Sequence, residues 1–368
     1  MPTVFAFIAL FGLLMAAQPS SGVANPRPGL ASANDTARFL AGLPPSAGSP
    51  LEALSKEPVW QQYARNFDSE WAALEQKQIG KARAWGAKHI GAAKPTLYYM
   101  FSGPDFLYAE TFFPTASTYV MSGLEPVGRQ PDLLALKRGS LPNVLDQMRA
   151  SLSDILSRSF FITSHMDQKL RRAQISGVLP VLYVFLARTG RTITDVTYLT
   201  LDPDGTVKPF EVTTTQVQPK AVKISFTAKD GAAQTLYFFS TNVANKSVAD
   251  SGFLKFCDTL GPGDALIKSA SYLPHSGQFS SVRDFIMRQA GRILQDDTGV
   301  PLRLYKDTEW KVEPFGVYAH PIPPFAHAYQ SAMRSLYDKH KPTKLDFSYG
   351  YRWRNNQSNV QLATKLRP

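Results

Sequence analysis

Residues 97–101 read LYYMF and are stopped by Ser102-Gly103-Pro104; residues 118–121 read TYVM and are stopped by Ser122-Gly123. Apolar runs this short, closed by turn formers, read as strands. Working outward, residues 196–201 and 206–210 flank Asp202-Pro203-Asp204-Gly205, and residues 222–226 and 235–239 flank Lys229-Asp230-Gly231. Each pair predicts a β-hairpin. Residues 265–273 read as another strand.

Helical spacing alternates with these strands. Trp60, Phe67, Trp71 and Leu74 share one face of a helix that Gly91 and Pro95 end. Val144, Leu145, Met148, Leu152, Ile155 and Leu156 follow Ser140 as N-cap and Pro142 in the first turn. Val282, Phe285, Ile286, Ile293 and Leu294 mark a further helix, as do residues 325–340, while residues 178–187 fit a buried helix or a strand. The expected class is α/β or α+β: a mixed β-sheet flanked by helices, with an N-terminal helical segment and a C-terminal β-hairpin. The hairpin rests on Phe347, Tyr349, Tyr351 and Trp353 alternating with Ser348, Gly350, Arg352 and Arg354, followed by a turn at residues 355–358 towards Val360, Leu362 and Leu366. The expected organisation is a signal peptide (1–24), linker and N-terminal helices (25–94), a mixed α/β domain (95–345) and a basic hairpin packed on it (346–368).

Composition narrows the function classes. The chain has 368 residues, 44% hydrophobic and 19% charged, enough to bury a large core. One cysteine, Cys257, excludes a disulfide scaffold. No apolar run approaches the roughly 20 residues of a membrane-spanning helix, so a multi-span protein is excluded. The net charge is +11, and between Arg334 and Pro368 eight basic residues face two acidic ones. More than half the excess therefore sits at one end. That pattern disfavours a nucleic-acid partner, whose charge would stripe the fold, and points to an anionic glycan or envelope polymer.

Residues 4–17 (VFAFIALFGLLMAA) have the length of a signal-peptide core, and Gly22 and Ala24 fill small-residue cleavage positions. The expected location is periplasmic or extracellular. A retained anchor is the alternative, because Met1-Pro2-Thr3 lacks Lys and Arg.

Candidate chemistry gathers at run ends. Ser102-Gly103, Ser122-Gly123 and Ser276-Gly277 share Ser-Gly, and two carry a Tyr four residues earlier, Tyr98 and Tyr272. Ligands of open α/β sheets bind at strand carboxyl ends, where small residues admit a close approach. Ser102, Gly103, Ser122 and Tyr272 are therefore candidate ligand contacts, with Arg352 and Arg354 from the basic tail. Asp105, Glu125 and His275 lie near these ends, and Asp296-Asp297-Thr298-Gly299 follows the helix read over residues 282–294. Two carboxylates there would oppose the helix dipole, a local cost that marks Asp296 and Asp297 as candidates. The likeness of Asp297-Thr298-Gly299 and Asp250-Ser251-Gly252 to an aspartic-protease pair fails on spacing, since the copies are too close for two lobes. No Gly-x-Ser-x-Gly elbow is present. His89, His165, His275, His320, His327 and His340 show no zinc-helix spacing, and phosphate- and dinucleotide-binding fingerprints are absent, so no metal or cofactor is expected.

The stretch Phe101-Ser102-Gly103-Pro104-Asp105-Phe106-Leu107-Tyr108-Ala109 with Phe112-Phe113-Pro114 resembles a family of uncharacterised exported bacterial proteins. So do Gly123-Leu124-Glu125-Pro126-Val127-Gly128, Gln295-Asp296-Asp297-Thr298-Gly299-Val300-Pro301, and Gly316, Tyr318 and Pro321. The resemblance spans residues 95–366 and brings no catalytic residues with it. Two functions follow as expectations. One is an exported binding protein with a strand-end cleft; the alternative is a hydrolase drawing acid–base groups from Asp105, Glu125, His275, Asp296 and Asp297.

Overall fold

Short apolar runs became strands where their residues alternate between two cores. The computed structural model describes residues 31–137, 139–158, 176–211, 219–352 and 357–366. The apolar run at residues 4–17, His165, Trp353 and Arg354 lie outside the described residues. The strands are β1 Thr96–Tyr99, β2 Thr118–Gly123, β3 Thr192–Leu201, β4 Val207–Pro209, β5 Ala221–Thr227, β6 Ala233–Ser240, β7 Gly263–Ile267, β8 Ala290–Gln295, β9 Trp310–Gly316 and β10 Asn359–Lys365. They form one sheet in the order β4-β3-β5-β6-β2-β1-β7-β8-β10-β9. Strands β6, β2, β1, β7 and β8 run parallel, and antiparallel strands extend the sheet on both sides. This is the mixed sheet flanked by helices that the sequence implied.

The period of two sorts the central side chains. Leu97, Tyr99, Tyr119 and Met121 enter one core, with Phe67, Trp71, Leu107, Leu145 and Leu182 from helices above it. Tyr98, Val120, Ala265 and Ile267 enter the other, against Phe253, Phe256, Val282 and Phe285. The helix Leu179–Arg188 is apolar and buried on every side from Leu179 to Ala187, which settles its run as helix rather than strand. The Trp60 helix runs over Pro58–Leu74, then widens to a π turn at Glu75–Ile79 before continuing as Gly80–His89.

Three expectations change. Ile293 and Leu294 belong to β8, not to the preceding helix, which stops at Gln289. Pairing with β7 and β10 fixes them there, so Asp296 and Asp297 follow a strand and oppose no helix dipole. The strand read over residues 265–273 ends at Ile267, because the backbone turns left-handed at Ser269, Ser271 and Tyr272. Residues 347–352 form a loop and the 3-10 turn Gly350–Arg352 rather than a strand. The C-terminal hairpin exists, but β10 pairs with β9 and lies inside the sheet between β9 and β8.

Chain direction sets apart one edge of the sheet. From β1 the chain passes through the helix Phe106–Phe112 to β2 on one side; from β7 it passes through Ser280–Gln289 to β8 on the other. The two helices pack on opposite faces, as Leu107 and Phe285 in separate cores demonstrate. Crossovers that diverge between neighbouring parallel strands leave a crevice at their carboxyl ends.

Candidate functional site

Parallel β1 and β2 bring Ser102 and Ser122 together at that edge. Ser122 N donates to Ser102 Oγ at 3.3 Å, Ser102 Oγ donates to Ser122 O at 3.2 Å, and Gly103 N donates to the same carbonyl at 3.1 Å. Asp105 and Glu125 therefore share the rim. The Glu125 carboxylate folds back over both loops: a Cβ added at Gly123 would lie 2.2 Å from its Oε2, so a side chain there would displace the Glu125 carboxylate. His275 and Ser276-Gly277 do not end a strand. They sit in 3-10 turns, where Ser276 Oγ accepts from Gln278 N at 3.2 Å.

The sequence reading missed the group that anchors the site. Lys268, the residue after β7, places Nζ 2.9 Å from Asp105 Oδ2, with side-chain exposures of 1% and 3%. The ammonium also lies 4.0 Å from the centroid of the Tyr108 ring. Asp105 additionally accepts from Tyr99 Oη at 2.8 Å and caps the Phe106–Phe112 helix through Tyr108 N at 3.2 Å. Burial still holds its carboxyl above the usual range, with Lys268 and Tyr99 pulling it back. A lysine closing the apolar strand residues Ala265, Leu266 and Ile267 was the available signal.

Asp296 and Asp297 extend the cluster from β8. Asp296 Oδ2 accepts from Ser269 N at 3.1 Å, and Oδ1 accepts from Thr298 N at 3.1 Å and from the Thr298 hydroxyl. Burial, then the neighbouring Asp297 charge, push Asp296 up to about 7. Asp297 accepts from Tyr272 Oη at 2.5 Å and from Asn359 Nδ2 at 2.9 Å. Burial raises its pKa too, and those two donors draw it down. His275, packed edge-on to Tyr272, is pushed down to about 4 by burial. Thus Tyr272 joins the cluster, and two of the candidate acids, Asp296 and Asp297, sit side by side.

The turn Gly350–Arg352 packs over this assembly. Gly350 has φ +70°, and a Cβ there would lie 2.0 Å from Asp296 Oδ2. Tyr351 Oη donates to Ser269 O at 2.8 Å and lies 2.8 Å from Ser271 Oγ. Arg352 donates to His320 O at 2.9 Å and to Pro321 O at 2.7 Å, so its guanidinium ties the turn to a neighbouring loop. Phe325 lies 5.1 Å from Tyr272 and 6.1 Å from Tyr351, centroid to centroid. A cavity of about 740 Å³ elsewhere, between the helices, is lined in part by Gln78, which donates to Tyr108 Oη at 2.9 Å. Among the described residues no group of three or more His, Cys, Asp or Glu side chains could hold a metal ion, and no helix is long and apolar enough to cross a membrane.

The opposed shifts predict a measurable pH dependence. Asp296 binds its proton more tightly when folded, so it contributes stability below about pH 4 that is lost as pH rises through about 7. His275 binds its proton less tightly when folded, so its contribution is complete above about pH 6.5 and lost as pH falls towards 4. Urea titrations should show Asp296→Asn gaining a few kcal/mol on wild type between pH 4 and 7. His275→Gln should gain on wild type in the reverse direction. Parallel curves for all three proteins would refute these assignments.

Fold and edge together define an α/β protein with an open, centrally parallel sheet and a buried carboxylate–lysine cluster at its topological switch point. No family model, curated protein or solved structure matches the chain.

Proposed function

We propose that the strand-end cluster is the acid–base centre of a hydrolase. The observation that carries this reading is the convergence of Asp105, Lys268, Asp296 and Asp297, all buried, on the carboxyl ends of β1, β7 and β8. Burying charged groups costs stability, and a cleft that only binds through aromatic contact has no use for that cost. Asp296 exchanges the proton in this reading, since its carboxyl titrates near neutrality. The Lys268–Asp105 pair supplies fixed charge, and Tyr272 with Asn359 orients Asp297. Tyr272, Phe325 and Tyr351 serve the substrate's apolar part. Turnover of a chromogenic panel of carboxylic esters, phosphoesters and glycosides tests the reading. Hydrolysis of one class is expected; saturable binding of a glycan without turnover of any would favour the binding protein instead.

The hydrolase acts outside the cytoplasm, on the strength of residues 4–17 and the small residues Gly22 and Ala24. Mass spectrometry of the envelope fraction should find a mature amino terminus near Asn25. An intact Met1 on cytoplasmic protein would refute export.

A further inference from the structure

We infer that Ser269 is the nucleophile of this centre and that uncharged carboxylic esters are its substrate class, an inference that rests on the acid–base reading above. Ser269 is the second residue beyond β7, at the carboxyl end of the central strand that borders the crevice. Its φ is +53°, and Ser271 and Tyr272 follow at +49° and +56°. Three left-handed non-glycine residues within four positions are a strained backbone, and such strain is retained where geometry serves a site. The Ser269 Oγ is buried with no hydrogen-bond partner, although a buried hydroxyl ordinarily finds one.

The surroundings suit this role. Ser269 N donates to Asp296 Oδ2 at 3.1 Å, so the carboxylate is fixed to the backbone of the residue that carries the unpartnered hydroxyl. Lys268 precedes it, and its ammonium is fixed on Asp105. Asp105, Asp296 and Asp297 border the loop, and their charge disfavours a phosphoryl dianion while leaving a neutral ester unopposed. Substrate reaches Ser269 by displacing the Gly350–Arg352 turn, which Tyr351 holds to Ser269 O and Ser271 Oγ.

The chemistry closes without a further reactant besides water. The Ser269 Oγ bonds to the acyl carbon as its proton passes to the Asp296 carboxylate. The carbon–alkoxide bond breaks, and the leaving alkoxide takes that proton to depart as an alcohol. Water then adds to the acyl carbon and gives a proton to Asp296; the Ser269 Oγ leaves and recovers it, releasing the carboxylic acid.

The test uses the full chain with an ethoxy-fluorophosphonate probe and a neutral p-nitrophenyl ester. Peptide mass mapping should place the phosphonyl adduct on Ser269. Ser269→Gly accepts the left-handed backbone, so it should fold, lose the adduct and lose ester turnover by about a thousandfold or more. An adduct on another residue, or Ser269→Gly turning over within about twofold of wild type, overturns the role of Ser269. If Asp296→Asn still abolishes turnover in that case, the acid–base centre stands without a serine nucleophile. Unchanged turnover in both variants overturns both readings.

Discussion

Replacing Lys268 with methionine should cost about 3–5 kcal/mol of folding stability at neutral pH, the penalty for leaving a buried carboxylate without its cation. Among the described residues Asp105 would keep Tyr99 Oη and Tyr108 N as donors. Its carboxyl is already held above the ordinary value with Lys268 present, so without the lysine it should take up a proton instead. A carboxyl whose pKa is raised on folding contributes stability at low pH and loses it as pH rises. The Lys268→Met deficit should therefore shrink as the solution is acidified towards the unfolded carboxyl value. Adding Asp105→Asn should restore most of the loss, because asparagine still caps the Phe106–Phe112 helix and carries no charge. Urea midpoints for the two single variants and the double variant measure this cycle. Additive losses would mean that the 2.9 Å pair contributes no coupling.

Asp296→Asn should lower kcat by about 10²- to 10⁴-fold on whichever substrate the panel identifies, with a much smaller change in KM. The wild-type rate should show an inflection near pH 7, where Asp296 titrates, and the variant should lack it. Asparagine can still accept from Ser269 N, so the left-handed loop should persist. The variant should also be at least as stable as wild type at neutral pH, since it no longer buries that charge. Loss of activity with retained or raised stability separates a catalytic role from a structural one. A variant that is active with an unshifted pH profile would remove Asp296 from the mechanism.

The reach of the primary sequence follows from the range of each interaction. Periodicity is local, so β1, β2, both hairpins and the helix Leu141–Arg158 were legible from residue spacing and turn chemistry. The placement of Asp105 and Glu125 after short apolar runs was legible too, and the parallel pairing of β1 and β2 puts both on one rim. Local pattern failed where a partner strand decides the state. Ile293 and Leu294 continue a helical spacing from Val282, yet hydrogen bonding to β7 and β10 makes them strand. The tail alternation of aromatics and arginines failed likewise: Phe347 and Tyr349 are buried, but their backbone is a loop, and Arg352 is drawn to the carbonyls of His320 and Pro321.

The site itself divides along the same line. The sequence by itself determined which carboxylates lie at run ends, since a turn former after an apolar run is a local event. Only the tertiary structure decided that β7 lies beside β1, which carries Lys268 to Asp105 across more than a hundred and sixty residues of chain. It alone decided that the segment after Ile267 turns left-handed against Asp296 and under Tyr351. Sheet order and backbone strain are set by contacts between distant segments, and no residue spacing encodes them.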